Sequence, residues 1–312
     1  MQTRKCACGT QMLKSPYPYF GGKSRAAPEV WQRFGEPKNY VEPFLGSAAV
    51  LLANPNQPFP IETVNDADHF IANFFRAIEV DPDVVAHYAD SPTSEIELYS
   101  RHEYLKSLTR ETSFKDMIAQ SPFYYDTRIA GWWAWGLCNW IGGGWCLRNS
   151  KQIPYLSSAG MGFRDKARKD DIAGYFQKLS VRFRDVRVLC GDFERCLKPS
   201  VTTRHGLTAV FLDPPYSEEA GPRQELYAVD SVDVAHKAAK WAVEHGDDPL
   251  LRIAFCGYDT EHIFPESWSV YQWKANGGYG SQADGVARAN ARRETIWFSP
   301  YCLPERIADC LL

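Results

Sequence analysis

Asp213-Pro214-Pro215-Tyr216 follows directly on the apolar run Thr208-Ala209-Val210-Phe211-Leu212. The run reads as a buried strand bounded by turn formers, which puts the Asp213 carboxylate at a strand's C-terminal end. Open α/β sheets bind their ligands at that edge. Two prolines restrict φ immediately after the acid, and an aromatic ring follows them. The group is a candidate reaction centre with neither a nucleophile nor metal-ligand spacing, suited to holding and polarising a substrate by hydrogen bonds.

A second constellation lies far upstream. Glu42-Pro43-Phe44-Leu45-Gly46-Ser47-Ala48 connects a strand at Tyr40-Val41 to the helical run Ala48–Leu52, and small residues there let backbone approach a bound cofactor. The next strand, Ile61–Val64, runs into Asn65-Asp66. Asp66 stands twenty residues after Gly46, the spacing at which a dinucleotide-binding unit carries the acid that accepts from ribose hydroxyls. The loop is not G-x-G-x-x-G and has no P-loop lysine, so a cofactor with a ribose and no pyrophosphate fits it better. S-adenosylmethionine is such a molecule.

These groups need a sheet to hold them. A helix at Glu29–Phe34, the two strand–loop–helix units and an amphipathic helix from Asp68 to Ile78 indicate a parallel sheet. Strands resume at Val186–Cys190, Ala209–Leu212, Leu250–Phe255 and Thr295–Phe298, with a helix at Val232–Glu244. Residues 15–84 and 181–300 thus read as one discontinuous catalytic domain, 85–180 as an insertion, and 1–14 and 301–312 as terminal segments. Within the insertion, Trp132, Trp133, Trp135, Trp140 and Trp145 fall in fourteen residues. Most read as a helical core, with polar neighbours Asn139, Arg148 and Asn149 at a groove. From Gly160 to Arg187 there are eight Lys or Arg against four Asp.

The 312 residues, 45% hydrophobic and 14% aromatic, can bury a large core. A net charge of −3 argues against a protein that coats nucleic acid over its whole surface, and it permits a local basic face. Met1–Lys14 lacks an apolar run of signal-peptide length, and no stretch approaches the roughly 18 apolar residues that span a bilayer. A cytoplasmic protein is expected. The nine scattered cysteines read as reduced thiols, and the Cys6/Cys8 pair has no second pair at zinc-site spacing, so no metal is expected.

Phe20-Gly21-Gly22-Lys23, Tyr40 to Ser47, Val64-Asn65-Asp66, Gly191-Asp192-Phe193, Asp213 to Tyr216 and Arg293-Glu294-Thr295-Ile296-Trp297 occur in an order that resembles the Dam-like DNA adenine-N6 methyltransferases of the alpha group. Among these the chain is most similar to the site-specific methylases of phages and prophages. The resemblance implies a Rossmann-like α/β sheet that binds S-adenosylmethionine, with an inserted, mainly helical target-recognition domain. It implies methyl transfer to an adenine flipped out of double-stranded DNA, with no obligate protein partner.

By position, Tyr19 would pack near the cofactor and Lys23 would meet its carboxylate or the DNA. Glu42 and Gly46 would line the methionine end, Asp66 would hold the ribose, and Asp192 with Phe193 would border the adenine. Asp213 and the Pro214 carbonyl would accept from the target amine, with Tyr216 stacked on the extruded base beside Pro215. Duller readings stand beside two of these: Lys23 as a surface lysine at a helix start, Phe193 as core.

Arg128, Arg148, Arg164, Lys166, Arg168 and Lys169 are the candidate DNA contacts. The last four read otherwise as a solvated helix face. The same geometry also serves the exocyclic amine of cytosine, N4, although Asp in the first motif position favours adenine. A non-catalytic DNA-binding or anti-restriction protein on the same fold is the third reading. Gly46-Ser47-Ala48 departs from the Gly-Ser-Gly of many members, which predicts weakened cofactor binding at most.

Overall fold

The computed structural model describes residues 12–19, 21–55, 60–110, 112–121, 123–140, 144–147, 153–156, 159–166, 171–215, 233–259, 261–272 and 294–305. Among them runs a mixed sheet of β1 (Asn39–Glu42), β2 (Ile61–Asp66), β3 (Val186–Cys190), β4 (Thr208–Leu212), β5 (Leu251–Tyr258), β6 (Ser269–Gln272) and β7 (Glu294–Phe298). Their order is β3-β2-β1-β4-β5-β7-β6. The first five in that order pair in parallel, and β7 runs antiparallel between β5 and β6. This is a mixed α/β sheet flanked by helices, consistent with the Rossmann-like architecture that the sequence leads one to expect.

Every residue of β1 and β4 is buried, as a parallel strand covered on both faces requires. Alternate side chains feed two cores. Tyr40 and Phe211 join one with α1 (Ala27–Phe34), α3 (His69–Val80), α7 (Thr127–Asn139) and α8 (Ile172–Phe183). Val41, Val210 and Leu212 join the other with α9 (Val234–His245). Local chemistry starts the helices where they start. Asp68, Asp126 and Asp171 cap α3, α7 and α8 by accepting from the N–H groups of Phe70, Ile129 and Gly174, each cap contributing ~1 kcal/mol.

Between α3 and α8 come α4 (Pro82–Ala89), α5 (Glu95–Arg110), α6 (Thr112–Gln120) and α7. The expected divisions at 84/85 and 180/181 fall inside α4 and α8. α3 and α4 both pack on α7 and α8, so the helical segment shares a core with the sheet. Trp133, Trp135, Trp140 and Trp145 are buried in that core and Trp132 is half-buried. Asn139 is buried too, accepting from Thr93 and donating to the Trp135 carbonyl, so it lines no groove. A buried pair, Arg182 of α8 with Glu62 of β2, fastens helix to sheet by two bonds of 2.5 and 2.8 Å.

The strands and helices expected around the sheet are present, with β5 extending three residues further than its apolar run. β6 is an addition to them: three of its four residues are exposed, so no apolar run marks it. No described helix is long and apolar enough to cross a membrane. The six cysteines among the described residues are free thiols.

Candidate cofactor and catalytic site

β1 pairs with β2 on one side and with β4 on the other, so the chain order reverses between β1 and β4. Ligands bind at the strand C-termini beside such a switch point. Here the ends of β1, β2, β3 and β4 open on one cavity of ≈ 500 Å³, a volume typical of small-molecule sites. The walls are the loops Glu42–Ser47, Asn65–His69 and Gly191–Glu194, together with Asp213, Pro215, Tyr19 and Lys23. Lys115 of α6 and Val234 and Lys237 of α9 also line it.

The β1 loop is fastened to β2 atom by atom. Leu45 N–H donates to the Asn65 carbonyl at 2.9 Å. Gly46 N–H donates to Asp66 Oδ2 and Asp68 N–H to Asp66 Oδ1, both at 2.9 Å. Tyr17 O–H donates to the Gly46 carbonyl at 3.0 Å. Gly46 has φ +48°, and a Cβ there would come within 2.9 Å of the Tyr19 ring, so the position demands glycine. Asn65 Nδ2 donates to the carbonyls of Pro43 (3.0 Å) and Gly191 (2.9 Å), tying the loops after β1, β2 and β3 together. Sequence reasoning gives Asn65 no role, since its only signal is its place before Asp66.

Ala48 adopts φ +57°, ψ +28° at the start of α2 (Ala49–Leu52) and is fully buried. It does not line the cavity, unlike Ser47 and Ala49 on either side. The departure from glycine therefore acts on the backbone, which holds an alanine in the left-handed region.

Three of the cavity's carboxylates stand at strand ends. Asp66 is pushed up to about 6 by burial, against the pull of the N–H groups it accepts from. Glu42 is buried, takes a 2.9 Å hydrogen bond from Tyr40 O–H, and burial raises its pKa well above the usual carboxylate range. Asp213 is raised by burial and drawn back by Lys23, whose Nζ lies 2.9 Å from Oδ1. Lys23 is 2% exposed, which removes the reading of it as a surface lysine. Phe44 and Phe193 stand with centroids 5.2 Å apart on the β1 and β3 loops. Phe193 is thus both core and cavity wall. Asp192 is at the cavity and caps the turn after β3 through Glu194 N–H.

The structure brings Tyr19, Lys23, Glu42, Gly46, Asp66, Asp192, Phe193, Asp213 and Pro215 to one cavity. Pro214 is buried beside it in sequence. Tyr216, Arg148, Asn149, Arg168 and Lys169 lie outside the described residues, as do Cys6, Cys8 and Arg293. Of the expected DNA contacts, Arg128 is exposed, with its guanidinium 5.3 Å from the centre of the Trp132 ring, and Lys166 is exposed. Arg164 sits in a short 3-10 turn, Gly162–Arg164, not on a helix face. Its guanidinium donates to the Ser91 carbonyl at 2.7 Å and to Thr93 Oγ1 at 3.4 Å, so its donors go to fastening this turn to the 91–93 segment.

A cavity with carboxylate acceptors, a pair of contacting aromatic rings in its wall and a lysine-paired acid can hold a ribose, a flat base and a cationic centre. Among the described residues no group of three His, Cys, Asp or Glu side chains could hold a metal ion. Residues 19–136 match the family model of D12 class N6 adenine-specific DNA methyltransferases. That span holds Tyr19, Lys23, the β1 loop, Asp66 and Lys115, and it ends before β3 and β4. No curated protein matches the chain.

Proposed function

We propose that this protein transfers a methyl group from S-adenosylmethionine to the N6 amine of an adenine flipped out of double-stranded DNA, in the cytoplasm of a bacterial or phage-infected bacterial cell. The observation that carries the reading is that Asp213 opens on the same cavity as the Gly46 loop and Asp66. One cavity then serves both donor and acceptor. The match of residues 19–136 supports the substrate and cofactor class.

S-adenosylmethionine fits the residues present: carboxylates for its ribose and its positive charge, and Phe44 with Phe193 for its purine. When bound it supplies an electrophilic methyl group on a sulfonium centre. Asp66 would accept from the ribose, and Glu42 would face the methionine end. The adenine amine is a poor nucleophile because its lone pair is delocalised into the ring. Asp213 and the Pro214 carbonyl would accept its hydrogens, favouring a pyramidal nitrogen and stabilising the positive charge that develops on it. Lys23 opposes the upward pull of burial on the Asp213 carboxyl and orients it for that task. Extruding the base costs a few kcal/mol, and stacking on Tyr216 would return about 1–3. Holding two reactants in register supplies much of the rest. We assign target recognition to the inserted helices of 85–180, with Arg128 and Lys166 as exposed contacts.

The test is incubation with S-adenosylmethionine and unmethylated DNA, digestion to nucleosides and mass spectrometry, beside the Asp213→Ala variant. N6-methyladenine made only by the parent supports the reading. Methylcytosine would move it to cytosine N4, and DNA binding with no cofactor binding would leave a non-catalytic binding protein.

A further inference from the structure

Lys115 belongs to α6 of the inserted helical segment, yet it lines the cavity where the β2 loop forms the wall. Phe114, the residue before it, packs on Phe70 of α3 with ring centroids 5.3 Å apart. This contact sets that turn of α6 against the start of α3 beside Asp68 and His69, and the Lys115 charge lowers the pKa of both. The Asp68 carboxylate is engaged in capping α3 through Phe70 N–H at 2.8 Å. Asp66 takes backbone N–H groups on both oxygens, and a carboxylate's four acceptor positions leave room for a ligand. His69 Nδ1 is buried with no hydrogen-bond partner among the described residues. An ammonium donor and a carboxylate acceptor thus stand at one end of one cavity.

A vicinal diol is the group that uses both, because each hydroxyl donates one hydrogen and accepts on oxygen. We propose that Lys115 is a cofactor-positioning residue that donates to the ribose hydroxyl oxygens while Asp66 accepts from the same diol, so that the inserted segment completes the cofactor site. This rests on the S-adenosylmethionine reading above. It adds a consequence the sheet alone does not have: displacement of α6 by a partner of the inserted segment would be felt as a change in cofactor affinity.

Calorimetric titration tests it with S-adenosylmethionine and its 2′-deoxy and 3′-deoxy analogues, on the parent, Lys115→Met and Lys115→Arg. A hydrogen bond to a charged donor is worth enough that the parent should bind at least one deoxy analogue about 10-fold more weakly. Lys115→Met should bind the full cofactor more weakly by a similar factor and lose discrimination against that analogue, while Lys115→Arg recovers part of it. Thermal unfolding of the three proteins checks that the variants are folded. A Lys115→Met protein that keeps the parent's full discrimination would overturn the proposal and leave Lys115 as a neutraliser of Asp68. A parent that binds no S-adenosylmethionine would instead remove the reading on which the proposal rests.

Discussion

Lys23 Nζ lies 2.9 Å from Asp213 Oδ1 with only 3% of the lysine side chain exposed. The two residues are 190 positions apart in the chain, one before α1 and the other after β4. Burial raises the Asp213 carboxyl, and the charge and hydrogen bond of Lys23 lower it. A carboxylate that must accept from an amine works only when ionised, so activity should fall on the acid side as Asp213 takes up its proton. Lys23→Met removes the opposing charge and lets burial act alone, raising that pKa further. The acid limb of the kcat/KM profile is therefore expected to move to higher pH, with activity recovering in more alkaline buffer. A limb at the parent's pH would mean that Lys23 does not hold Asp213 ionised.

Asp66 and Asp68 stand at about 6 and about 7, both raised first by burial, with Asp66 adding to Asp68. In the unfolded chain both ionise near pH 4. Between pH 4 and 7 the unfolded chain therefore loses protons that the folded protein retains, and stability falls as pH rises through that window. A carboxyl whose pKa is one pH unit higher in the folded protein costs about 1.4 kcal/mol of stability once it has ionised. Asp68→Asn keeps an N-cap oxygen for Phe70 N–H and removes one of the two charges. We expect this variant to exceed the parent by about 1–2 kcal/mol at pH 8 and to match it near pH 4. Urea unfolding at the two pH values measures the difference, and an equal gap at both would remove the charge pair as its cause.

Much of the sheet is legible in the sequence because β1 and β4 are short, wholly buried runs and because strand-end acids sit where turn chemistry places them. Asp66 and Asp213 can be picked out from position alone. Lys115 and Lys237 cannot: they line the cavity from α6 and α9, and nothing local to either helix tells which face turns inward. Arg164 misleads for the same reason. A guanidinium in a basic stretch reads as solvated until the Ser91 carbonyl is found against it. β6 escapes notice because an edge strand with exposed side chains carries no burial pattern. The shared core of sheet and inserted helices is a tertiary fact, made by contacts such as Glu62–Arg182 across 120 residues.

Ala48 offers a balance of three terms. Its left-handed backbone costs an alanine about 1–2 kcal/mol. Against that, glycine would lose about 0.5–1 kcal/mol more conformational freedom on folding, and would give up a buried methyl worth ~0.8 kcal/mol. Ala48→Gly should therefore stay within about 1 kcal/mol of the parent. Because Ala48 is absent from the cavity wall, its cofactor affinity should be unchanged. Ala48→Val adds β-branching at positive φ in a packed site and should cost more than about 2 kcal/mol. Denaturant unfolding and cofactor titration separate the two effects. A tighter cofactor complex in Ala48→Gly would show that the methyl does reach the ligand.

Asn65 ties the loop after β1 to the loop after β3. Its amide donates to Pro43 and Gly191 carbonyls at once, and the side chain is almost wholly buried. Leucine has a similar volume and no donor, so Asn65→Leu leaves two carbonyls facing an apolar group. A buried acceptor left unsatisfied costs about 1–3 kcal/mol, more than the loops after β1 and β3 can absorb without moving. The backbone bond from Leu45 N–H to the Asn65 carbonyl survives the substitution, so the protein should still fold, at a lower melting temperature. Movement of the two loops carries Phe44 and Phe193 apart, and S-adenosylmethionine affinity should fall by about 10-fold or more. Asn65→Asp is the control: it preserves shape but turns a carboxylate toward the same two carbonyls, and should do no better than leucine. Parent-like affinity in both variants would mean that the strand ladder alone sets the distance between the rings.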